Sequence, residues 1–144
     1  MIVPDVNLLV YAYTQQDARH EAALDWWEGV LNGKELVGLP WMVTFGFLRL
    51  RTNPRICAHP APMEAALRVV EEWHERSLTI SLEPGMRHLE IVRGLLLTSE
   101  GGSNLVNDAH LAALAIEHRA TLFTHDRDFE RFSGLKVAYP LRKR

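Results

Sequence analysis

Three aspartates are placed where their carboxylates could do chemistry together. Asp5 follows the apolar run 1–4, Asp126 follows a second apolar run at 120–124, and Asp108 lies on the inner face of a helical segment. Crowded carboxylates repel one another, so such a cluster normally needs a hard divalent cation to neutralise it. A bound Mg²⁺, or alternatively Mn²⁺, can lower the pKa of a water molecule and stabilise a leaving oxygen. The three residues therefore predict metal-assisted hydrolysis of a phosphodiester.

Each aspartate also has an ordinary structural explanation. Asp5 could cap the short helix that follows it, and Asp126 could cap the turn that contains Phe129. Asp108, in an early turn of its helix, could interact with the positive end of the helix dipole. Asp128 competes with Asp126 for either role. One shared site is more economical than three separate explanations, so we expect Asp5, Asp108 and Asp126 to be catalytic metal ligands and Asp128 an auxiliary ligand.

Polar neighbours of these aspartates could orient them. Asn7 could hold Asp5 in place, and Thr124 could hydrogen-bond Asp5, Asp126 or a metal-bound water. His125 could donate a proton or contact a nucleic-acid substrate, or it could be an ordinary surface-loop residue. The seven histidines form none of the close pairs that a zinc site usually shows.

Strands alternate with helices from one end of the chain to the other. Apolar or alternating runs predict strands at 1–4, 35–39, 78–82, 120–124 and 136–139. Helical patterns cover 7–13, 18–31, a segment beginning at Pro40, 63–76, 84–98 and 105–119, with Asn104 as the expected cap of the last helix. This order predicts one α/β domain over residues 1–144, a three-layer α/β/α fold with a central, mainly parallel sheet. Functional groups should collect beyond the carboxyl ends of its strands.

Composition limits the possible classes of protein only mildly. A chain of 144 residues with 47% hydrophobic residues and a net charge of −2 is an ordinary globular protein, whose charge by itself neither indicates nor excludes a nucleic-acid partner. The basic end Arg142-Lys-Arg144 could contact phosphates or be a solvated terminus. The single cysteine, Cys57, excludes an internal disulfide. With no apparent leader and no membrane-length apolar stretch, we expect a cytoplasmic protein.

Several motifs occur in a characteristic order over nearly the whole chain. They are Pro4-Asp-Val-Asn-Leu-Leu-Val-Tyr-Ala, Leu39-Pro-Trp, Gly46-Phe-Leu-Arg-Leu, Thr52-Asn-Pro-Arg-Ile, Asn104-Leu-Val-Asn-Asp-Ala-His-Leu-Ala-Ala-Leu-Ala-Ile-Glu-His and Asp126-Arg-Asp-Phe. Together they resemble the PIN-domain ribonucleases and, more narrowly, the VapC toxins of bacterial toxin–antitoxin pairs. The resemblance implies a metal-dependent endoribonuclease that cuts structured RNA, commonly tRNA or ribosomal RNA. It also implies a homodimer that a cognate VapB-type antitoxin inhibits.

The acidic residues of that family map onto this chain with one departure. The first, third and fourth acids fall on Asp5, Asp108 and Asp126, with Asp128 close by. Family members commonly carry a glutamate in the helix after the second strand, where this chain has Gly46, and no acid lies between residues 40 and 62. The resemblance therefore implies a three-acid site whose metal stoichiometry is open.

Two further groups of residues could contact partners. Arg49, Arg51 and Arg55 lie near the helix expected to line the site, where they could contact RNA phosphates or an acidic residue of an antitoxin. Ordinary surface charge is the alternative. The aromatic residues Tyr11, Trp27 and Phe47 could line a groove for an antitoxin helix or be buried.

Two other functions remain open at this level. A phosphatase of the aspartyl-phosphate type also places an aspartate after its first strand, but it needs a second acid where this chain has Asn7. A catalytically degenerate PIN module, which binds RNA or antitoxin without cutting, is suggested by Gly46.

Overall fold

The computed structural model describes residues 1–141. The basic end Arg142–Arg144, considered above as a phosphate contact, lies outside the described residues. Within the described part of the chain, no helix is long and apolar enough to cross a membrane.

A sheet of five short strands forms the centre of the fold. The strands are β1 (Ile2–Pro4), β2 (Val37–Leu39), β3 (Thr79–Ser81), β4 (Thr121–Phe123) and β5 (Lys136–Ala138). Their spatial order is β3-β2-β1-β4-β5, and every neighbouring pair is parallel. All residues of β1 and β2 are buried, which explains why neither segment alternates between apolar and polar residues.

Within residues 1–141, six α-helices cover the two faces of the sheet. They are α1 (Val6–Ala12), α2 (His20–Leu31), α3 (Trp41–Thr52), α4 (Met63–Glu75), α5 (His88–Thr98) and α6 (Val106–Glu117). Crossovers between parallel strands are right-handed as a rule, and with this strand order the rule puts α1 to α4 on one face and α5 and α6 on the other. The helix contacts agree, because α1 packs on α2 and α3, α3 packs on α4, and α5 packs on α6. The predicted three-layer fold with a parallel sheet is confirmed.

The start of α6 differs from the prediction. A 3₁₀ turn spans Gly102–Leu105, and Leu105 holds the N-cap position of α6. Asn104 therefore lies inside the turn, and its prediction as the cap was wrong. Gly101 enters the turn with φ 136°, a conformation that side chains with a Cβ atom rarely adopt.

An aromatic cluster between α2, α3 and α4 corrects the predicted antitoxin groove. Trp27 and Phe47 are 0% and 1% exposed, and both rings contact the buried ring of Trp73, at centroid distances of 5.5 and 4.7 Å. These rings belong to the core, so two of the three residues proposed for the groove are inaccessible. Tyr11 is only partly buried.

Strand order reverses between β1 and β4. From β1 the chain adds β2 and then β3 on one side, and the next crossover returns to β4 on the other side. The loops that follow β1 and β4 therefore begin side by side at one edge of the sheet, where parallel α/β folds usually bind ligands. The backbone N–H of Asp5, the first residue after β1, donates to the carbonyl of Phe123, the last residue of β4, at 2.8 Å.

Candidate active site

Asp5 and Thr124 form the buried centre of the site. Asp5 is 6% exposed and Thr124 is fully buried. The Thr124 hydroxyl donates to Asp5 Oδ2 at 2.8 Å, and its Oγ1 also accepts the backbone N–H of Asp126 at 3.0 Å. The Thr124 hydroxyl thus fixes the position of the Asp5 carboxylate relative to the loop after β4.

Asp126 and Asp128 occupy the turn that follows. Asp126 Oδ1 accepts the backbone N–H of Asp128 at 2.9 Å and caps the 3₁₀ turn Arg127–Arg131. The structural explanation for Asp126 is therefore correct, and its second carboxylate oxygen is not used by that cap. Asp5 also stands at an N-cap position, before α1, but its side chain makes no cap hydrogen bond.

The carboxylates influence one another electrostatically. Burial raises the pKa of Asp5 to about 6, the hydrogen bond from Thr124 opposes this rise, and the charges of Asp108 and Asp126 add to it. Burial also raises the pKa of Asp108, and the charges of Asp126 and Asp128 raise it further. These carboxylates therefore lie close enough to repel one another, and a cation between them would be strongly favoured.

A cavity of about 400 Å³ brings together Asp5 from the end of β1 and Asp108 from the first turn of α6. On the opposite wall, α3 contributes Gly46 and Arg49. A Cβ atom at Gly46 would lie 3.2 Å from Val6 Cγ2, so glycine permits the close packing of α3 on α1. Gly46, the position to which the resemblance assigns the family glutamate, therefore lines the same cavity as Asp5 and Asp108.

The donor set fits a hard divalent cation by charge and chemistry. Hard cations prefer carboxylate oxygens, and Mg²⁺ usually keeps several water ligands. Within residues 1–141, however, no three His, Cys, Asp or Glu side chains are grouped closely enough to form a ready-made metal shell. We infer that these aspartates could hold a hydrated ion with few direct protein ligands.

The three arginines have different environments. Arg49 is exposed and lines the cavity. Arg51 donates from Nε to the carbonyl of Tyr13 and from Nη1 to the carbonyl of His59, both at 2.8 Å. Arg51 therefore holds the loop after α3, whereas Arg55 is an exposed residue of that loop.

Asn7, in the first turn of α1, and His125, in the loop after β4, both lie near Tyr11. Asn7 is exposed and lines a neighbouring hollow with Tyr11, whereas Thr124 supplies the hydrogen bond that the Asp5 carboxylate accepts. The His125 ring packs edge-on against Tyr11, with centroids 6.1 Å apart.

Two features of the site were not predicted from the sequence. The charge of Arg131 opposes the rise in the pKa of Asp108 that burial and the neighbouring aspartates cause, and its guanidinium lies 3.6 Å from Asp128. Spacing of three residues between Asp128 and Arg131 is a weak signal for such a pair. The exposed side chain of Phe45 also lines the cavity, one helical turn before Arg49.

Comparison with known proteins assigns a family. The model of the PIN domain matches residues 2–135. Ribonuclease VapC33 of Mycobacterium tuberculosis is 41% identical over 143 residues, covering 99% of this chain and 100% of the relative. Ribonuclease VapC37 of the same organism is 39% identical over 140 residues, covering 97% of each chain.

Solved structures show the same fold at lower sequence identity. The VapBC-1 structure from nontypeable Haemophilus influenzae matches with a TM-score of 0.68 and 19% identity, covering 99% of this chain and 100% of that one. VapC20 of Mycobacterium tuberculosis, described as a toxin that cleaves the sarcin–ricin loop, matches with a TM-score of 0.66 and 18% identity, covering 94% and 99%.

Proposed function

Because this chain belongs to the PIN-domain family, we propose that it is a VapC-type toxin, an endoribonuclease that hydrolyses phosphodiester bonds in structured RNA. The observation that supports the proposal is that Asp5, where the strand order reverses, shares a cavity with Asp108 and that the charges of Asp108 and Asp126 both raise its pKa. Its full-length relatives at 39–41% identity are named ribonucleases. Family membership also disfavours the aspartyl-phosphate phosphatase considered above.

Ribonucleases of this family generally depend on a divalent metal ion. We propose Mg²⁺, or alternatively Mn²⁺, with Asp5, Asp108 and Asp126 as ligands and Asp128 as an auxiliary acid. The ion, when bound, supplies activation of a water molecule and neutralises charge on the phosphate. Thr124 orients the Asp5 carboxylate through its 2.8 Å hydrogen bond and also holds the Asp126 loop. Arg49, exposed on the cavity wall, is placed to bind a phosphate of the substrate.

A cleavage assay with metal control tests the proposal. The protein, purified free of any antitoxin, is incubated with total RNA in Mg²⁺, in Mn²⁺ and in a chelator. We expect discrete fragments only with metal, and loss of cleavage in Asp5→Asn and Asp108→Asn. Asp25→Asn, at an exposed position of α2, is the matched control and should cleave normally. Unchanged cleavage by the double variant of Asp5 and Asp108 would refute the assignment.

A catalytically degenerate module is the second candidate, because Gly46, to which the resemblance assigns the family's second acid, lines the cavity. Such a module would bind RNA or antitoxin without cutting. Tight RNA binding with no fragments under either metal would favour it over the nuclease.

A protein partner and a dimer are also proposed. Solved neighbours include toxin–antitoxin complexes such as FitAB bound to a DNA fragment and VapBC2 from Rickettsia felis. By analogy, we propose a VapB-type antitoxin that inhibits this chain, a homodimeric toxin and a cytoplasmic location. Co-purification with the product of a neighbouring small reading frame, followed by light scattering of the complex and of the free toxin, would test partner and stoichiometry together.

A further inference from the structure

One face of α3 carries two aromatic side chains and a cation in a regular series. Trp41, Phe45 and Arg49 are spaced by four residues, so they follow one another along the same side of the helix. Trp41 is 43% exposed and Phe45 is 60% exposed. We call these three residues the α3 ladder.

The aromatic rings of the ladder are already stacked. The Trp41 and Phe45 rings lie 5.6 Å apart at an interplanar angle of 28°. Trp41 also stacks on His74 of α4, at 4.7 Å and 7°, and the His74 ring lies 2.8 Å from the Thr44 hydroxyl. Contacts with α4 therefore hold Trp41 in place. The Phe45 ring stacks on Trp41 and is the more exposed of the two rings.

The ladder leads into the candidate active site. Phe45 and Arg49 line the same cavity as Asp5 and Asp108. A flat apolar ring beside a carboxylate site can stack on a base of a nucleic-acid substrate, because every nucleobase offers a π-face. The neighbouring Arg49 is complementary to the phosphate that joins two such nucleotides.

We propose that Phe45, supported by Trp41, stacks on a nucleobase next to the scissile phosphate, while Arg49 binds a backbone phosphate. This inference rests on the proposed ribonuclease function and deepens it. Bases in a duplex stack on one another and cannot offer their faces to a protein ring, whereas unpaired bases in loops and bulges can. The enzyme therefore selects an unpaired nucleotide at the cleavage site within a structured RNA.

Tryptophan fluorescence can detect this stacking in the absence of cleavage. Of the four tryptophans, Trp27 and Trp73 are buried and Trp26 is partly buried against Phe123, so Trp41 is the most exposed. The protein in chelator is titrated with a single-stranded oligoribonucleotide, a duplex of the same sequence and a ribose-phosphate polymer without bases. We expect quenching by the single strand alone.

Variants separate the contributions of the ladder. Phe45→Ala should weaken binding of the single strand roughly ten-fold, within the range of one base–aromatic contact. Trp41→Phe retains a ring and should preserve affinity while removing the signal. Leu89→Ala, which shortens an apolar side chain 78% exposed on α5, is the control and should leave both unchanged.

The outcomes distinguish the stacking inference from the proposed function. If wild-type protein cleaves RNA with metal but Phe45→Ala retains full affinity and kcat/KM, the ladder does not bind bases and the nuclease assignment stands. If quenching occurs as expected but no metal supports cleavage, the stacking inference stands and the nuclease assignment fails. Equal quenching by the duplex, or a dimer that dissociates in Phe45→Ala with unchanged RNA affinity, would overturn the inference in favour of a protein-binding face.

Discussion

Replacing Asp5 by asparagine should make the metal-free protein more stable at neutral pH while destroying its activity. Burial raises the pKa of Asp5 from 3.8 to about 6. One pKa unit corresponds to about 1.4 kcal/mol, so ionised Asp5 costs the folded state about 3 kcal/mol at pH 7. Asparagine has nearly the same shape, carries no charge and can accept the same hydrogen bond from Thr124. The variant should therefore recover up to about 3 kcal/mol, or on the order of 10 °C in Tm.

The dependence on pH follows from the direction of the shift. Below pH 3.8 the carboxyl group is protonated in both the folded and the unfolded state, so the pKa shift contributes nothing. Between 3.8 and about 6 the unfolded state loses its proton first, and the stability of wild-type protein falls as pH rises. Above about 6 the loss is complete. The stability advantage of Asp5→Asn should thus grow from pH 4 to pH 6 and then level off.

Urea unfolding in chelator, repeated across this pH range, measures the difference between wild type and variant. Asp25→Asn, at an exposed site, is the control and should show no comparable growth. Adding Mg²⁺ should stabilise wild type by mass action but leave Asp5→Asn unaffected. An Asp5→Asn protein that is less stable than wild type at pH 7, or an advantage that does not vary with pH, would refute the reasoning.

Substitutions at four other positions test the site and the residues that support it. Thr124→Val removes both hydrogen bonds of the Thr124 hydroxyl. It should lower the free energy of unfolding, measured in urea, by about 1–3 kcal/mol and RNA cleavage, measured as fragment yield, by roughly 10- to 100-fold. Thr124→Ser keeps the hydroxyl and should retain most of the stability and most of the cleavage. Gly46→Glu places an acid in the cavity and should tighten Mg²⁺ binding by calorimetry relative to Gly46→Ala; equal affinities would show that this corner does not reach the metal. Arg51→Ala should lower Tm because two carbonyls lose their donor, with little effect on RNA binding. Arg49→Ala should instead weaken RNA binding and reduce the salt dependence of the binding constant by about one phosphate contact. If Arg51→Ala weakened RNA binding and Arg49→Ala lowered Tm, the roles assigned to the two arginines would have to be exchanged.

Most of the fold could be predicted because its signals are local. The unalternating apolar segment that became β1 indicates a strand buried on both faces, and helices between successive strands imply parallel pairing. The juxtaposition of Asp5 with the loop after β4 then follows from parallel topology. The cap of α6 was missed because Gly101 and Gly102 allow an additional 3₁₀ turn before the helix.

Exposure of side chains on α3 could not be predicted in the same way. This helix is apolar on several sides, so periodicity does not reveal which rings are buried. Phe47 packs against Trp73 in the core, whereas Phe45, two residues earlier, is exposed at the cavity. Similarly, Arg49 and Arg51 are both arginines of α3, and the sequence does not distinguish them. Arg51 binds the backbone carbonyls of Tyr13 and His59, and the positions of those carbonyls are known only from the three-dimensional structure.

The hydrogen bond between Thr124 and Asp5 spans 119 positions of sequence. During synthesis, β1 can pair with β2 early, but its other edge stays open until β4 leaves the ribosome. Until then Asp5 lacks its orienting hydroxyl, and the chain has neither Asp126 nor Asp128. Prematurely terminated chains should therefore be catalytically inert. For a nuclease directed at RNA, late closure of the central strand would protect the translation apparatus from the protein while it is being made.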